Sequence, residues 1–237
     1  ITIATYNELE NLPSLVAEIH ARVPQTDILV IDDNSPDGTG DWCEQAAAED
    51  SRIHLLRRSG KLGLGTAIVA GMRFAIENGY TNVLNMDADF SHHPQFIPDL
   101  LSPMEADGES QTDVAIGSRY VPGGDILGWP IMRQLMSRGV NFYARLLLGL
   151  KTRDCSGGFR CYRTELLTRI DLQNMRSWGY SFQEEILWRL HREGARLLEV
   201  PITFTDRERG QSKINATESF AALWIILRLG MTNWLGW

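Results

Sequence analysis

Two aspartates separated by one residue follow an apolar stretch of the sequence. Residues 82–94 read NVLNMDADFSHHP, in which Asp87 and Asp89 flank Ala88. Just beyond the end of a strand, two such carboxylates can reach one hard cation, and that cation can carry phosphate oxygens. A lone pair of this kind is weak evidence, so the other charged residues decide how it is interpreted.

Two adjacent histidines follow the aspartates and suggest a zinc site. However, His92 and His93 point in different directions as neighbours in the chain, and neither has a partner at the i, i+4 spacing of helical zinc sites. Ser91 precedes them and Pro94 follows them. This pattern favours the capped entry to the next helix.

Cations and a hydroxyl further along the chain form a candidate phosphate site. Arg133 and Ser137 are four residues apart on a predicted helix and share a face, and Arg119 follows a predicted strand. Two guanidinium groups and a hydroxyl can bind a phosphate. A second stripe on the same helix is interpreted as an ordinary solvated face: Arg138, Asn141 and Arg145.

Two glycine-containing segments are also candidates for binding phosphate. GKLGLGTA, residues 60–67, precedes a helix, but a dinucleotide fingerprint belongs after the first strand of its unit, so nicotinamide binding is disfavoured. FTDRERGQSK, residues 204–213, follows a strand and contains Arg207, Arg209 and Lys213. It is either a lid over a diphosphate or a plain surface turn.

Strand and helix patterns alternate over the first 120 residues. Continuous apolar strands separated by helices predict a mostly parallel sheet that is covered on both faces. Ligands bind beyond the carboxyl ends of the strands in such sheets. The acids that follow predicted strands therefore belong to one edge: Glu8, Asp32, Asp33, Asp87 and Asp89. The predicted helices cover residues 12–23, 39–49, 64–78 and 95–106.

The alternation breaks after Tyr120. The pattern predicts a loop over 122–130, a helix over 131–149, a strand near 158–162, a helix over 181–193, a strand pair near 197–205 and a terminal helix. The apolar run of the terminal helix is too short to span a membrane before Arg228 interrupts it. Trp224, Trp234 and Trp237 favour contact with a membrane interface, and a core helix or a subunit contact is the alternative.

Composition narrows the class of protein. The chain has 237 residues, is 43% hydrophobic and carries a net charge of −7, which argues against a nucleic-acid partner. The charge is uneven: residues 1–118 hold 6 basic and 19 acidic residues (−13), and residues 119–237 hold 17 basic and 11 acidic residues (+6).

The cysteines and the start of the chain give two further indications. Three cysteines at unrelated spacings support neither a disulfide framework nor a zinc ribbon. The first strand begins at once without an initiator Met, so the native chain is expected to begin earlier.

Taken together, eight segments in order resemble the dolichyl-phosphate (polyprenyl-phosphate) mannose synthases, which are inverting glycosyltransferases of family 2 with the GT-A type fold. The segments are TYNELENL, VIDDNSPDGT, KLGLGTA, DADFSHHP, GSRYVPGG, DCSGGFRCYR, GYSFQEEI and FTDRERGQSK. The resemblance implies a catalytic domain over residues 1–213, with an interface helix at about 131–149. It also implies an amphipathic membrane-associating segment over 214–237.

The resemblance also implies a role for individual residues, with Asp89, Arg119 and Arg133 as the catalytic ones. Residues matching the positions that hold GDP-mannose are Thr5, Tyr6, Glu8, Ile31, Asp33, Asp87, Ala88, Asp89, Arg207 and Lys213. Those matching the Mg²⁺ or Mn²⁺ site are Asp87, Asp89 and Ser91, and those matching the acceptor-phosphate site are Arg119, Arg133 and Ser137. Glu185 matches a family acid, for which the residues suggest only a helical pair with Arg189.

The implied reaction moves mannose from GDP-mannose to a polyprenyl (dolichyl) monophosphate at the cytoplasmic face of a membrane. The enzyme would be peripheral, or held by a further segment or a membrane-anchoring subunit. Alternatives left open are a polyprenyl-phosphate glucosyltransferase that uses UDP-glucose and a non-catalytic nucleotide-sugar-binding protein.

Overall fold

A seven-stranded mixed sheet organises the computed structural model of the protein. The structure describes residues 1–106, 111–177, 179, 181–206 and 216–235, and within the last range it describes the side chains of residues 222–233. The strands of the main sheet are β1 Thr2–Thr5, β2 Ile28–Asp32, β3 Ile53–Arg57, β4 Asn82–Asp87, β5 Val114–Ser118, β7 Arg160–Arg163 and β8 Leu197–Pro201. A separate parallel pair consists of β6 Asp125–Leu127 and β9 Thr203–Thr205.

Helices connect most of these strands. They are α1 Leu12–Arg22, α2 Thr39–Glu49, α3 Leu64–Glu77, α4 Ile97–Leu101, α5 Ile131–Leu148, α6 Thr164–Leu167, α7 Phe182–Arg192 and α8 Ala216–Leu235. Single 3-10 turns at Pro94–Phe96 and Ser102–Met104 flank α4.

The strand order is β3-β2-β1-β4-β7-β5-β8, and β1 pairs in parallel with both β2 and β4. Thr5 is opposite Asp32, and Ala4 is opposite Asp87. The carboxyl ends of these three strands therefore lie at one edge of the sheet. The predicted mostly parallel sheet is confirmed, and the acids Asp32 and Asp87 lie at the carboxyl ends of its strands.

The central strands β2, β4 and β5 bury both of their faces, as their continuous apolar sequences predict. In β4, Val83 packs in one cluster with residues of α3, α5, α7 and α8, whereas Leu84 packs in another with residues of α1 and α4. In β5, Ile116 belongs to the first of these clusters and Ala115 to the second. Successive side chains on a strand point to opposite faces, so helices cover both sides of the sheet.

Three local predictions differ from the structure. The helix predicted over 95–106 is broken into short turns because Pro98 and Pro103 cannot donate the hydrogen bonds that a continuous helix needs. The predicted loop over 122–130 contains β6. The strands near 197–205 do not pair with each other: β8 pairs with β5 in the main sheet, and β9 pairs with β6.

The three cysteines lie in the interior of the protein. Cys43, Cys155 and Cys161 are all buried and free. Burial raises the pKa of each thiol to about 12. At neutral pH these groups are protonated, so they act as small apolar side chains rather than as nucleophiles.

The terminal helix α8 packs against α5. Ile226 and Leu229 are fully buried, and a Cβ atom at Gly230 would lie 2.9 Å from the Leu147 Cβ. On its outer side, Trp224 is 62% exposed. Trp237 and the side chain of Trp234 lie outside the described residues. Within the part of the chain that the structure describes, no helix combines the length and apolar character that a membrane crossing requires.

Candidate active site

The two aspartates of the D-x-D pair lie where β4 meets an open cavity. Asp87 ends the strand with 42% of its side chain exposed, and Asp89 lines a cavity of about 490 Å³. The Oδ1 atom of Asp89 accepts a hydrogen bond from the Ser91 N–H at 3.1 Å. Phe90, which lies between Asp89 and Ser91, has a φ of 61°, an uncommon backbone conformation for a side chain of this size. The chain therefore turns sharply just after the second carboxylate.

The two histidines have different roles. His93 accepts the Gln95 N–H at 3.2 Å and caps the 3-10 turn, as predicted. His92 is instead buried beneath the aspartates, where its Nδ1 accepts the Asp87 N–H at 3.2 Å and its ring stacks on Phe159 at 5.0 Å. Because Nδ1 accepts this bond, the ring proton is on Nε2. His92 therefore fixes the main chain at the first carboxylate, which the sequence pattern did not indicate.

The two carboxylates of the D-x-D pair fit a hard divalent cation bound together with a diphosphate. Among the described residues, no group of three His, Cys, Asp or Glu side chains is arranged to hold a metal ion. Mg²⁺ commonly uses one or two carboxylates and completes its shell with water and substrate phosphates, so Asp87 and Asp89 suffice. Ser91 is 2% exposed, and the contact of its hydroxyl with a cation remains a prediction.

The predicted nucleotide side lies at the ends of β1 and β2. The Thr5 hydroxyl donates to Asp32 Oδ1 at 3.0 Å, and Asp32 also accepts the Ser35 N–H, so this pair shapes the turn after β2. Ile31 is fully buried in the core. The Lys61 ammonium lies 4.7 Å from the centre of the Tyr6 ring.

A half-buried arginine connects this side to the glycine-containing segment. Arg58 pairs with Asp33, donates to the Thr66 hydroxyl at 2.6 Å and donates to the Gly63 carbonyl at 3.2 Å. Glu8 follows β1, and its Oε2 accepts the Asn11 amide at 3.0 Å. The structure thus brings the predicted nucleotide residues to one edge, and their contacts with a nucleotide remain predictions.

On the opposite side of the edge, Arg119 forms a buried ion pair with Asp154. Its Nε and Nη2 atoms donate to the two carboxylate oxygens, both at 2.7 Å. Burial alone would raise the pKa of the Asp154 carboxyl, but Arg119 outweighs it and holds that pKa below its usual value. This pair fixes the orientation of the Arg119 guanidinium.

An aromatic side chain brings the second predicted arginine next to the first. The guanidinium of Arg133 lies 4.0 Å from the centre of the Trp129 ring, and that of Arg119 lies 5.5 Å from it. Phe204 contacts the same ring at 5.2 Å and contacts His92 at 5.7 Å. A chain of rings therefore connects the D-x-D turn to both arginines, and sequence reasoning missed Trp129 and Phe204.

The other predicted acceptor-side groups already have partners in the protein. Arg133 donates to both carboxylate oxygens of Asp206, at 3.1 and 3.2 Å. The Ser137 hydroxyl accepts from the Tyr120 hydroxyl at 2.7 Å. An incoming phosphate would thus compete with Asp206 for Arg133. The predicted loop residues Arg207, Arg209 and Lys213 lie outside the described residues.

The prediction that Asn141 belongs to a solvated face is wrong. Asn141 is 3% exposed, and its amide donates to the Ser137 carbonyl at 2.8 Å and to the Ser156 hydroxyl at 3.1 Å. Its Oδ1 accepts the Cys155 N–H at 2.6 Å. A buried amide with this many partners joins α5 to the loop that carries Asp154.

Two adjacent glutamates of α7 are buried. Glu185 pairs with Arg189 at 2.7 Å, as predicted, and also accepts the N–H groups of Arg176 and Ser177, so it holds the preceding turn. Glu184 is 3% exposed, and burial raises the pKa of its carboxyl to about 7. Its neighbourhood contains the fully buried Arg160. Sequence reasoning missed Glu184.

We expect Glu184→Gln to stabilise the protein at alkaline pH. The folded state keeps the proton of Glu184 up to a pKa of about 7, against an ordinary value of 4.5. Stability therefore falls as pH rises from 4.5 to 7 and stays low above it. The variant should gain about 3 kcal/mol in unfolding free energy at pH 8 and less than about 0.5 kcal/mol at pH 4.5. Urea unfolding at both pH values measures this. The exposed Glu193→Gln is the control, and a gain that is equal at both pH values would contradict the assignment.

The chain belongs to the glycosyl transferase family 2: the family model matches residues 1–171. This membership confirms the family expected from the eight sequence segments. An undecaprenyl-phosphate mannosyltransferase from Micrococcus luteus is 44% identical over 235 residues, which cover 99% of this chain and 95% of the relative. A polyprenol monophosphomannose synthase from Mycolicibacterium smegmatis is also 44% identical, over 98% of this chain and 86% of the relative.

Solved structures confirm the GT-A type fold. Glucosyl-3-phosphoglycerate synthase from Mycobacterium tuberculosis, in complex with Mn²⁺, UDP-glucose and phosphoglyceric acid, superposes with a TM-score of 0.66 at 19% identity. The match covers 98% of this chain and 77% of that chain. The same enzyme with Mn²⁺, UDP and its glucosyl product gives a TM-score of 0.64.

Proposed function

We propose that the protein transfers mannose from GDP-mannose to a polyprenyl (dolichyl) monophosphate, with inversion, to give β-linked polyprenyl phosphate mannose and GDP. One observation carries the proposal: an acidic cavity at the D-x-D turn is joined by a chain of aromatic rings to two oriented arginines. In this proposal, a diphosphate carried by a cation binds beside a second phosphate. The names of the two relatives at 44% identity support mannose as the transferred sugar and a polyprenyl phosphate as the acceptor.

The acceptor itself supplies the nucleophile in this proposal. A phosphate monoester has a second pKa near 6, so at neutral pH it is already largely dianionic and needs no general base. Arg119 and Arg133 orient it toward the anomeric carbon from the face opposite the leaving group, which inverts that centre. As the bond to GDP breaks, negative charge forms on its diphosphate, and fixed positive groups in the site stabilise it. This electrostatic stabilisation is the main source of the rate acceleration.

On the donor side, Asp87 and Asp89, with Ser91 as a further ligand, would hold Mg²⁺ or Mn²⁺. A cation held there would provide the positive charge that a departing diphosphate needs. His92 keeps the main chain of Asp87 in place through its Nδ1 atom. Arg207 and Lys213 add positive charge over the donor in the same proposal, and Thr5, Tyr6, Glu8, Ile31 and Asp33 belong to the strand ends and the turns that hold the nucleotide.

We expect Arg133→Ala to raise the KM for the lipid phosphate roughly 10- to 100-fold, the effect of losing a charge-assisted hydrogen bond. Affinity for GDP should stay within about twofold, because Arg133 lies on the acceptor side. Initial rates with varied acceptor and calorimetry with GDP measure the two quantities. Arg22→Ala removes a similarly exposed, ion-paired arginine from α1 and is the control. A rise in the Kd for GDP with an unchanged acceptor KM would reverse the assignment.

The whole proposal is tested by a transfer assay with labelled GDP-mannose and a short polyprenyl phosphate in the presence of Mn²⁺. Mannose should appear in the lipid fraction, and UDP-glucose should be a poor donor. A preference for UDP-glucose would make the protein a glucosyltransferase. Nucleotide-sugar binding without turnover would make it a binding protein.

The acceptor places the enzyme at a membrane surface, which we propose to be the cytoplasmic one, with or without an anchoring subunit. The side of α5 away from the core supports this, since it presents large apolar side chains that are 56% to 72% exposed: Ile131, Met132, Leu135, Met136, Phe142 and Leu146. Trp224 of α8 is similarly exposed. An amphipathic helix of this kind can lie in the plane of a membrane interface.

A further inference from the structure

A second cavity beside α5 is lined by cations and lies outside the donor and acceptor sites. It has a volume of about 410 Å³, and its lining consists of Tyr120, Arg138, Asn141, Phe142, Arg145 and Arg153. No acidic side chain belongs to this lining. We call it the arginine cavity. Arg138 and Arg145 are seven residues apart, about two helical turns, and therefore share one face of α5.

The three arginines of this cavity differ from the other arginines around the site. Arg119, Arg133 and Arg58 are each paired with an aspartate. Within the described residues, Arg138, Arg145 and Arg153 have no carboxylate within ion-pair distance, and the Nε atom of Arg145 is buried without a hydrogen-bond partner. The carboxylate of the nearby Glu199 accepts hydrogen bonds from the main-chain N–H groups of Arg153 and Asp154 and from the Ser118 hydroxyl. The cavity therefore carries positive charge that no ion pair within the described residues neutralises.

The arginine cavity lies next to the acceptor side without sharing its cations. Tyr120 is the common neighbour: Arg138 lies 5.8 Å from the centre of its ring and Arg119 lies 5.2 Å from it. The Tyr120 hydroxyl is occupied by Ser137. A phosphate in this cavity would thus be a second anion, separate from the one that Arg119 and Arg133 receive.

We infer that the arginine cavity binds the phosphate group of an anionic bilayer lipid that is not the acceptor. Guanidinium groups match the geometry of phosphate oxygens, and basic residues beside a membrane attract anionic lipids. The cavity opens on the same helix as the exposed apolar side chains, and Phe142, which is 65% exposed, belongs to both. This complementarity of charge and apolar surface favours a lipid over a soluble anion. The inference rests on the proposed membrane contact of α5.

Vesicle flotation tests the inference with the full chain and the double variant Arg138→Gln/Arg145→Gln. One set of vesicles is pure phosphatidylcholine, and the other contains one part phosphatidylglycerol in five. The wild type should partition more strongly to the anionic vesicles. Since each basic residue near an anionic surface contributes about fivefold, the double variant should lose roughly 20-fold of this partitioning. Its binding to pure phosphatidylcholine and its turnover of a short, water-soluble acceptor should stay unchanged.

The matched control is Arg22→Gln/Arg169→Gln, which changes the net charge equally at two exposed arginines outside the cavity. It should keep the preference for anionic vesicles. The inference is overturned if the cavity variant keeps this preference, or if the control loses it to the same extent. Failure of the wild type to bind either kind of vesicle would instead refute the membrane contact itself, whereas normal vesicle binding without mannosyl transfer would refute only the proposed reaction.

Discussion

Asp89→Asn should lower the rate of mannosyl transfer about 10³-fold at saturating Mn²⁺, which corresponds to about 4 kcal/mol of transition-state stabilisation. The amide keeps an Oδ1 atom that can accept the Ser91 N–H, so the turn itself should be preserved. What the variant loses is the negative charge that draws a divalent cation to the cavity. Initial rates across a range of Mn²⁺ concentrations measure this loss, and thermal unfolding shows whether the fold is intact.

Asp99→Asn makes the same change on the exposed side of α4 and should leave turnover unaltered. Calorimetry separates binding from chemistry. With the wild type, Mn²⁺ should strengthen the binding of GDP, and with Asp89→Asn that enhancement should disappear. If the variant keeps more than about a tenth of wild-type turnover, Asp89 does not hold the cation and the donor side must be reassigned.

Asp154→Asn should destabilise the protein by about 3–5 kcal/mol, because it leaves the charge of Arg119 buried without a counter-ion. Arg119 is 8% exposed and Asp154 is fully buried, so water cannot compensate. For a chain of this length the loss corresponds to a fall in Tm of roughly 10 °C. Scanning calorimetry or circular dichroism at pH 7 measures it.

Glu165→Gln is the control, since it also removes the partner of an arginine but at an exposed pair on α6. It should cost less than about 1 kcal/mol. The pKa of Asp154 lies below the ordinary 3.8, so its contribution is present above that pH and is lost as pH falls through the folded pKa. The difference between wild type and Asp154→Asn should therefore shrink in strong acid. A Tm drop as small as that of the control would mean that the pair contributes little.

The sheet and its acidic edge could be predicted because both follow from local patterns. Apolar runs bounded by helices predict parallel strands, and the acids at residues 32–33 and 87–89 directly follow such runs. The direction of β7 could not be predicted. This short strand runs antiparallel between β4 and β5, and it carries Arg160, which is charged and yet fully buried. Hydropathy alone treats such a residue as a surface position.

The polar interior of the site was predicted less well, because its partners are far apart in sequence. Arg119 and Asp154 are 35 residues apart in the sequence. His92, which follows β4, stacks on Phe159, which precedes β7. Asn141 was assigned to solvent because its helical neighbours are arginines, and only the folded loop at Cys155 shows why it is buried. Glu184 gives no signal in its spacing, since its raised pKa results from burial.

The packing of α8 has a mechanical consequence. Ile226 and Leu229 belong to the same buried cluster as Ile186 and Leu187 of α7, so α8 is part of the core and cannot swing as a tethered arm. Gly230 allows it to lie directly on α5, whose first turns carry Arg133 and Ser137. Any attachment made through α8 therefore sets the tilt of the sheet edge that carries the candidate site. The candidate site would then face its substrate in one orientation, because the packed helices α5 and α8 allow little movement between the attachment and the site.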